Sequence, residues 1–562
     1  MIRLRIDQNQ KTQTSSLKMI LKMLAVSLLF TLAAAIILAG IFLEGNTVDN
    51  LLYYARVPLA DGSSQAITNC VRFCLPVAIG VFVTINVLSL LIILTRKKVC
   101  HLCRKLKKPY PNIVFKAIYD KAFLISSIML ICSLIVFLSQ VDAFSYLKGK
   151  ARKTKVYEQY YVSPGQEEFI FPEKKKNLIY IFLESMETSY ASVAEGGMME
   201  DNYIPYLTEL TKDKNSVSFS DTEVLGGAYP ITGTTWTAAA MISQTSGIPL
   251  TMPVTSSGFG PNGEFLPGAY SIGQVLENAG YNQMLMVGSK ASFAKRKDYF
   301  EQHGNYEIFD YYTAIEEGKI PEDYYVWWGY EDAKLFEYAK ENIRELSEKD
   351  EPFNFTMLTV DTHFSNGYRC SQCERKFNTK YANVINCSDH QVHDFIEWLK
   401  QEPYYEDTVV VICGDHLTMQ HAYFETVPED VFERGRRVYN CIINSGLSTE
   451  HTKNRLFTTM DMYPTTLAAL GVKWSNNTLG LGVNLFSGEK TLCERFGIDG
   501  FIYHLASSSD FYHDFLIDGN TSIESEVGID ADRRMSDQIE KMNNSGADDE
   551  TIEFETPENI TE

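Results

Sequence analysis

Asn177-Leu-Ile-Tyr-Ile-Phe-Leu183 is a near-continuous apolar run of strand length, bounded by Lys174–Lys176 before it and by Glu184 after it. A strand that is apolar at every position is buried on both faces, as in a parallel sheet covered by helices above and below. Similar runs follow at Gln283–Val287, Phe353–Val360, Thr408–Cys413 and Val438–Ile443. Helical patterns lie between them, at Ser271–Ala279 (stopped by Gly280), Asp332–Glu348 and Ser388–Lys400. Strands alternating with helices over about 350 residues predict an α/β domain with a mostly parallel sheet and helices on both faces.

In open sheets of this kind, sites form outside the carboxyl ends of the strands. The polar residues that follow the apolar runs are therefore the ones to read. They are Glu184, Gly288-Ser289-Lys290, Asp361-Thr362-His363 and Gly414-Asp415-His416. A hydroxyl-rich turn, Gly233-Thr-Thr-Trp-Thr237, precedes the apolar segment Ala238–Ile242. Oxygen and imidazole donors together suit zinc or manganese better than an ion that prefers thiolates. A hydroxyl beside such an ion has a lowered pKa and becomes a nucleophile near neutral pH. Thr234 is the hydroxyl expected in that role, with Thr235 as its rival one position on. Thr235 or Thr237 is expected to cap the helix that follows. Each residue also has an ordinary structural reading: Glu184 as a helix cap, Asp415-His416 as a turn, His363 as a packed histidine.

The amino-terminal quarter of the 562-residue chain is different in kind. Its apolar runs at 19–43, 71–94 and 122–144 are each read as a transmembrane helix, since about 20 apolar residues cross the hydrocarbon core. The segment between the first two runs carries only Arg56 as a basic residue, whereas the segment between the second and third carries nine, from Arg96 to Lys121. Basic loops stay cytoplasmic, which places the chain beyond the third run outside the membrane. The expected organisation is a membrane domain over 1–145, a linker over 146–175, a catalytic domain over 176–520, and an acidic, disordered tail over 521–562. The net charge of −20 argues against a nucleic-acid partner. Of the eleven cysteines, Cys370, Cys373 and Cys387 cluster in the outer part, where one disulfide among the three is expected.

Taken together, Asn177–Glu187, Gly233-Thr-Thr-Trp-Thr237 with Ser246-Gly-Ile-Pro249, Thr362-His-Phe364 and Cys413-Gly-Asp-His416 resemble the sulfatase-like branch of the alkaline phosphatase superfamily. They are most similar to its lipoteichoic acid synthase and phosphoglycerol transferase group. The resemblance covers about residues 175–490 and implies an alkaline-phosphatase-like fold. It further implies one divalent ion, usually manganese, with zinc or magnesium as alternatives. Glu184, Thr234, Asp415 and His416 would hold it. Thr234 would carry the phosphoryl group covalently, His363 would contact the head group or move a proton, and Arg296 would bind phosphate, with Lys295 as its alternative. The implied donor is phosphatidylglycerol, the acceptor is an envelope glycan or glycolipid, and the location is the bacterial cell membrane with the catalytic domain outside. A phosphoethanolamine transferase, a metal phosphodiesterase and a non-catalytic envelope sensor are the other readings. The Cys/Ser-x-Pro-x-Arg string of true sulfatases is absent.

Overall fold

The computed structural model describes residues 2–42, 47–56, 61–106, 112–251, 260–261 and 263–520. The tail expected over 521–562 lies outside the described residues. Helices α1 (Ile2–Phe42), α3 (Asp61–Lys105) and α4 (Asn112–Gln140) hold the apolar runs, the third ending at Gln140 rather than at 144 because the chain turns at Val141–Asp142, and the short helix α2 (Val48–Arg56) lies between the first two. Three stretches in them are long and apolar enough to cross a membrane: Ile20–Ile41, Arg72–Cys103 and Asp120–Gln140. Their large side chains face outward, Leu28, Leu90 and Ile131 each being more than half exposed, which a water-facing surface does not tolerate in such numbers. Asn86 Nδ2 donates to Ser27 Oγ at 2.6 Å, tying α3 to α1.

The remainder is built on a seven-stranded sheet, with strands β1 (Asn177–Leu183), β2 (Ser216–Val217), β3 (Asn282–Val287), β4 (Glu307–Phe309), β5 (Phe353–Leu358), β6 (Thr408–Gly414) and β7 (Asn440–Ile443). Their order is β2-β7-β6-β1-β5-β3-β4. The fold is α/β with a mostly parallel sheet, as the apolar runs require. β1 is central and pairs in parallel with β5 (Leu178 beside Asn354) and β6 (Asn177 beside Thr408). Alternate residues of β1 enter two separate cores: Leu178, Tyr180 and Phe182 on one face, Ile179, Ile181 and Leu183 on the other. This is why the strand is apolar throughout. The run at Val438–Ile443 departs from the parallel pattern, because β7 is antiparallel to β6.

Two expectations change at element boundaries. The helix expected from Ser388 begins at Lys380, where the Thr379 side chain accepts from the Ala382 amide and caps it. The polar stretch after α4 is docked onto the domain rather than extended as a spacer. Val162 and Ile170 make backbone bridges to Gly480 and Lys473, and Tyr157 is buried with its ring 5.1 Å from that of Tyr512.

Candidate active site

The carboxyl ends of β1 and β6 lie side by side, and that adjacency brings the acidic residues together. Glu184 follows β1, with its amide bonded to Thr359 Oγ1 at 2.9 Å and its carbonyl accepting from Thr362 Oγ1 at 2.5 Å. Ser185 then adopts the left-handed conformation, φ 53°, which is uncommon for a residue with a Cβ and is held only where the surroundings dictate it. In that conformation its amide donates to Asp415 Oδ1 at 2.7 Å and its hydroxyl donates to Glu184 Oε1 at 2.7 Å. Gly414 closes β6 under close contact. A Cβ there would lie 1.9 Å from the Met186 carbonyl oxygen, so only glycine lets the two strand ends approach. Glu187, fully buried, accepts from Arg436 through both carboxylate oxygens and from the Thr418 amide, fixing the chain beyond His416.

Glu184, Asp415 and His416 are all buried and converge. His416 Nδ1 sits 2.7 Å from the Leu417 carbonyl, which can only accept, so Nδ1 carries the proton and Nε2 presents its lone pair to the cluster. From Nε2 the distances are 3.6 Å to Glu184 Oε1, 3.4 Å to Asp415 Oδ2 and 3.3 Å to the Thr237 hydroxyl, which is itself 3.4 Å from Glu184 Oε2. These separations are long for hydrogen bonds. They match the edges, about 3.3–3.6 Å, of a tetrahedron with metal–ligand bonds of about 2.0–2.2 Å. Asp415 Oδ2 is buried without a hydrogen-bond partner. Burial, followed by the neighbouring Glu184 carboxylate, pushes the Asp415 carboxyl well above the usual range. Burial acts most strongly and raises Glu184, but His363, His416 and the hydrogen bonds from Ser185 and Asp415 together oppose it and leave Glu184 below the usual range. Two crowded carboxylates, one with an unpartnered oxygen, fit a divalent cation by charge and by donor type.

The hydroxyl in this cluster belongs to Thr237, which corrects the expectation for Thr234. Thr234 Oγ1 donates to the Ile231 carbonyl at 3.0 Å and accepts from the Ile231 amide at 3.2 Å, so both of its capacities are used in closing a buried turn. Thr235 is exposed and absent from the cluster. The cap expectation changes as well: the helix Thr237–Ser246 begins after Trp236, with no side-chain cap, and Thr237 occupies its first turn. The signal in the sequence was the apolar run itself, since a helix start placed at Ala238 also puts Thr237 at its mouth.

The cleft beside the cluster is lined by Glu184, Thr237, Ser289, Lys290, Arg296 and His363, with Trp236 and Trp328 among its aromatic walls. Arg296 is only 5% exposed, yet reaches this cleft. Its Nη2 donates to Ser289 Oγ at 3.0 Å and to the Lys290 carbonyl at 2.8 Å, and its Nε donates to the Phe293 carbonyl at 3.1 Å. Lys295, the alternative, is turned to Asp298 at 2.8 Å and does not line the cleft. His363 sits with Nδ1 2.7 Å from the Phe364 carbonyl and its ring 4.9 Å from that of Trp328, leaving Nε2 as its reactive edge. Ser289, Lys290, Trp236 and Trp328 complete the site and were not among the residues expected to bind substrate.

Phosphoglycerol transferase I of Escherichia coli O127:H6 (strain E2348/69 / EPEC) is 30% identical over 344 residues, which cover 59% of this chain and 41% of that protein. The chain thus spans about two fifths of the curated relatives it matches. Among solved structures, the lipoteichoic acid synthase LtaP of Listeria monocytogenes is 17% identical, with 59% of this chain and 80% of that one covered and a TM-score of 0.43. The integral membrane lipooligosaccharide phosphoethanolamine transferase A of Neisseria meningitidis is 12% identical, with 80% and 84% covered and a TM-score of 0.42. The sulfatase family model matches residues 176–472, more than half of the chain, and covers every strand of the sheet together with Glu184, Thr237, Asp415 and His416: the chain belongs to the sulfatase family.

Proposed function

We propose that this chain moves phosphoglycerol from phosphatidylglycerol to a glycan or glycolipid of the cell envelope, with Thr237 as the attacking hydroxyl. The observation that supports this most is the convergence of the Thr237 hydroxyl with Glu184, Asp415 and His416 at one edge of a cleft that also holds Arg296 and His363. The relatedness to phosphoglycerol transferases supports the choice of head group.

Thr237 Oγ attacks phosphorus, and the bond from phosphorus to the diacylglycerol oxygen breaks. His363, whose Nδ1 proton is held by the Phe364 carbonyl, offers the Nε2 lone pair that takes the proton released by the Thr237 hydroxyl and returns it to the diacylglycerol oxygen as it leaves. The acceptor hydroxyl then attacks the phosphothreonine, forming the new phosphodiester and returning Thr237 to its free form. Arg296 offsets charge on the phosphoryl oxygens, and the first turn of the Thr237–Ser246 helix adds amides with no intrahelical partners at its positive end. A divalent ion, manganese in this proposal, held by Glu184, Asp415 and His416 beside Thr237 would supply positive charge to the phosphoryl group and lower the pKa of the hydroxyl. The protein is placed in the cell membrane as a multi-pass protein, with this domain on the outer side and the donor lipid in the outer leaflet.

The test is incubation of the full-length protein in detergent with Mn²⁺ and phosphatidylglycerol labelled in its glycerol head group. The proposal expects label bound to protein, diacylglycerol release, and loss of both in Thr237→Ala. Label from phosphatidylethanolamine but not from phosphatidylglycerol would replace the head group. Absence of label and of diacylglycerol from both lipids would overturn the transfer reading.

A further inference from the structure

The three outer cysteines do not form the expected disulfide. Cys370, Cys373 and Cys387 are all free thiols, buried together under Tyr368 and Ala333. Cys370 Sγ lies 3.6 Å from Cys373 Sγ and 3.7 Å from Cys387 Sγ, and all three sulfurs fall within 4.8 Å of one another. A disulfide would hold two sulfurs at about 2.05 Å and leave the third out. The observed spacing is that of a metal–thiolate set, because a tetrahedron with zinc–sulfur bonds of about 2.3 Å has edges of about 3.8 Å.

Two independent features point the same way. Gln391, one turn along the helix from Cys387, donates its amide to Cys387 Sγ at 3.4 Å and to Cys370 Sγ at 3.6 Å, leaving its own buried oxygen without a partner. An amide that gives up a bond at oxygen to donate to sulfur is arranged for thiolates rather than thiols. Next to the cluster stands Asp361, 3% exposed, with both carboxylate oxygens buried and without partners. Its carbonyl accepts from the Tyr368 amide at 2.6 Å, two residues before Cys370. An unpartnered buried carboxylate near Cys370 and Asp332 is costly unless it is neutralised, and a cation at the sulfurs would offset it.

We propose that Cys370, Cys373 and Cys387 bind one zinc ion, distinct from the ion at Glu184, Asp415 and His416, with a water in the fourth position and Asp361 nearby to offset its charge. Cys370, Cys373 and His363 all lie on the chain between β5 and the Lys380–Leu399 helix, and Cys387 lies on that helix. The ion would pin the His363-bearing loop to the helix.

The two sites differ in donor chemistry, and the experiment uses that difference. Zinc X-ray absorption on the reduced, zinc-loaded full-length protein should show a zinc–sulfur shell at about 2.3 Å, which the oxygen and nitrogen donors of the other site do not produce. The cobalt-loaded protein should show thiolate-to-cobalt charge-transfer absorption. That absorption should persist in Glu184→Gln and be lost in Cys373→Ser and Cys387→Ser, each with about one metal equivalent fewer. A zinc shell without sulfur in the wild-type protein would overturn the proposal. So would a Cys370–Cys373 or Cys370–Cys387 disulfide that forms in the zinc-loaded protein without added oxidant, mapped by alkylation and mass spectrometry.

Discussion

Replacing Thr237 and Thr234 separately by alanine should split catalysis from stability in opposite directions. Thr237 Oγ1 makes only long approaches, 3.3 Å to His416 and 3.4 Å to Glu184, so its loss removes less than about 1 kcal/mol of folding stability. Thr234 Oγ1 makes two shorter bonds to Ile231 inside a buried turn. Its loss leaves the buried Ile231 amide without its partner, while the Ile231 carbonyl keeps the Thr234 amide at 3.1 Å; the cost is about 1–3 kcal/mol, which corresponds to roughly 1–2 °C in Tm for each kcal/mol in a domain of this size. Catalysis should show the reverse. Thr237→Ala removes the atom proposed to form the covalent bond and should lower kcat by at least about 10³-fold, since deleting a nucleophile can cost as much as about 10⁶-fold. Thr234→Ala should stay within a few-fold. The assay pairs head-group labelling from phosphatidylglycerol with thermal unfolding of the same preparations, and Thr237→Ser serves as a control that keeps a hydroxyl. Label retained in Thr237→Ala and lost in a folded Thr234→Ala would refute the assignment of the hydroxyl.

Arg296→Lys keeps the charge but loses the fork that bonds Ser289, Lys290 and Phe293; kcat/KM should fall about 10- to 100-fold, measured by steady-state diacylglycerol release, and Tm should also fall, because the buried partners lose their donor. Gly414→Ala should lower Tm by several degrees, because its Cβ would meet the Met186 carbonyl at 1.9 Å, and thermal unfolding reads it directly. Asp461 caps the Thr459 turn and accepts from the Thr458 and Val483 amides, yet burial pushes its carboxyl up to about 7. The folded state then binds a proton that the unfolded chain has released by pH 5, so this group's contribution to stability falls as pH rises from about 4 to 7. Asp461→Asn removes that slope, and its Tm relative to wild type should rise between pH 5 and pH 8. Chelation of divalent ions should abolish turnover and lower Tm in wild type, with a smaller drop in Asp415→Asn, which lacks one donor to the active-site ion.

The sheet was legible because burial on both faces leaves no polar alternation, and β1, β3, β5 and β6 all carry that mark. Strand-end logic also reached Glu184, Asp415 and His416, since a parallel sheet delivers its carboxyl ends to one edge. The hydroxyl was not legible from that logic. Five residues contain three threonines, and which one faces the acids depends on how the Gly233 turn, φ 81°, hands the chain to the helix. Here Thr234 is consumed by the turn and Thr237 is left half-buried at the first turn of the helix, a choice set by local side-chain bonds to Ile231 rather than by helix propensity. The cysteines show a second limit. Spacing and compartment favour a disulfide, but the positions of the sulfurs depend on how Cys387, one turn and more into its helix, packs against a loop that propensity does not fix.

The membrane segment and the active site meet at one side chain. Tyr53, on α2 between the first two long helices, is fully buried, with its hydroxyl bonded to the Ala294 carbonyl at 2.6 Å and its ring 4.5 Å from that of Trp236. Trp236 precedes Thr237, and Ala294 and Lys295 are consecutive left-handed residues, φ 54° and 62°, immediately before Arg296. Each such conformation costs about 1 kcal/mol or more and persists only where neighbours dictate it. The Tyr53 bond is one such neighbour, and it comes from outside the matched sulfatase region. The same ring abuts the residue that opens the Thr237 helix. A single buried contact from α2 thus reaches both the turn that precedes Arg296 and the start of the Thr237–Ser246 helix, which a domain that only needed tethering would not require. That contact couples the shape of the cleft to α2, between the first two long apolar helices, and in the proposed reaction it would hold the site close to the segment that meets the donor lipid.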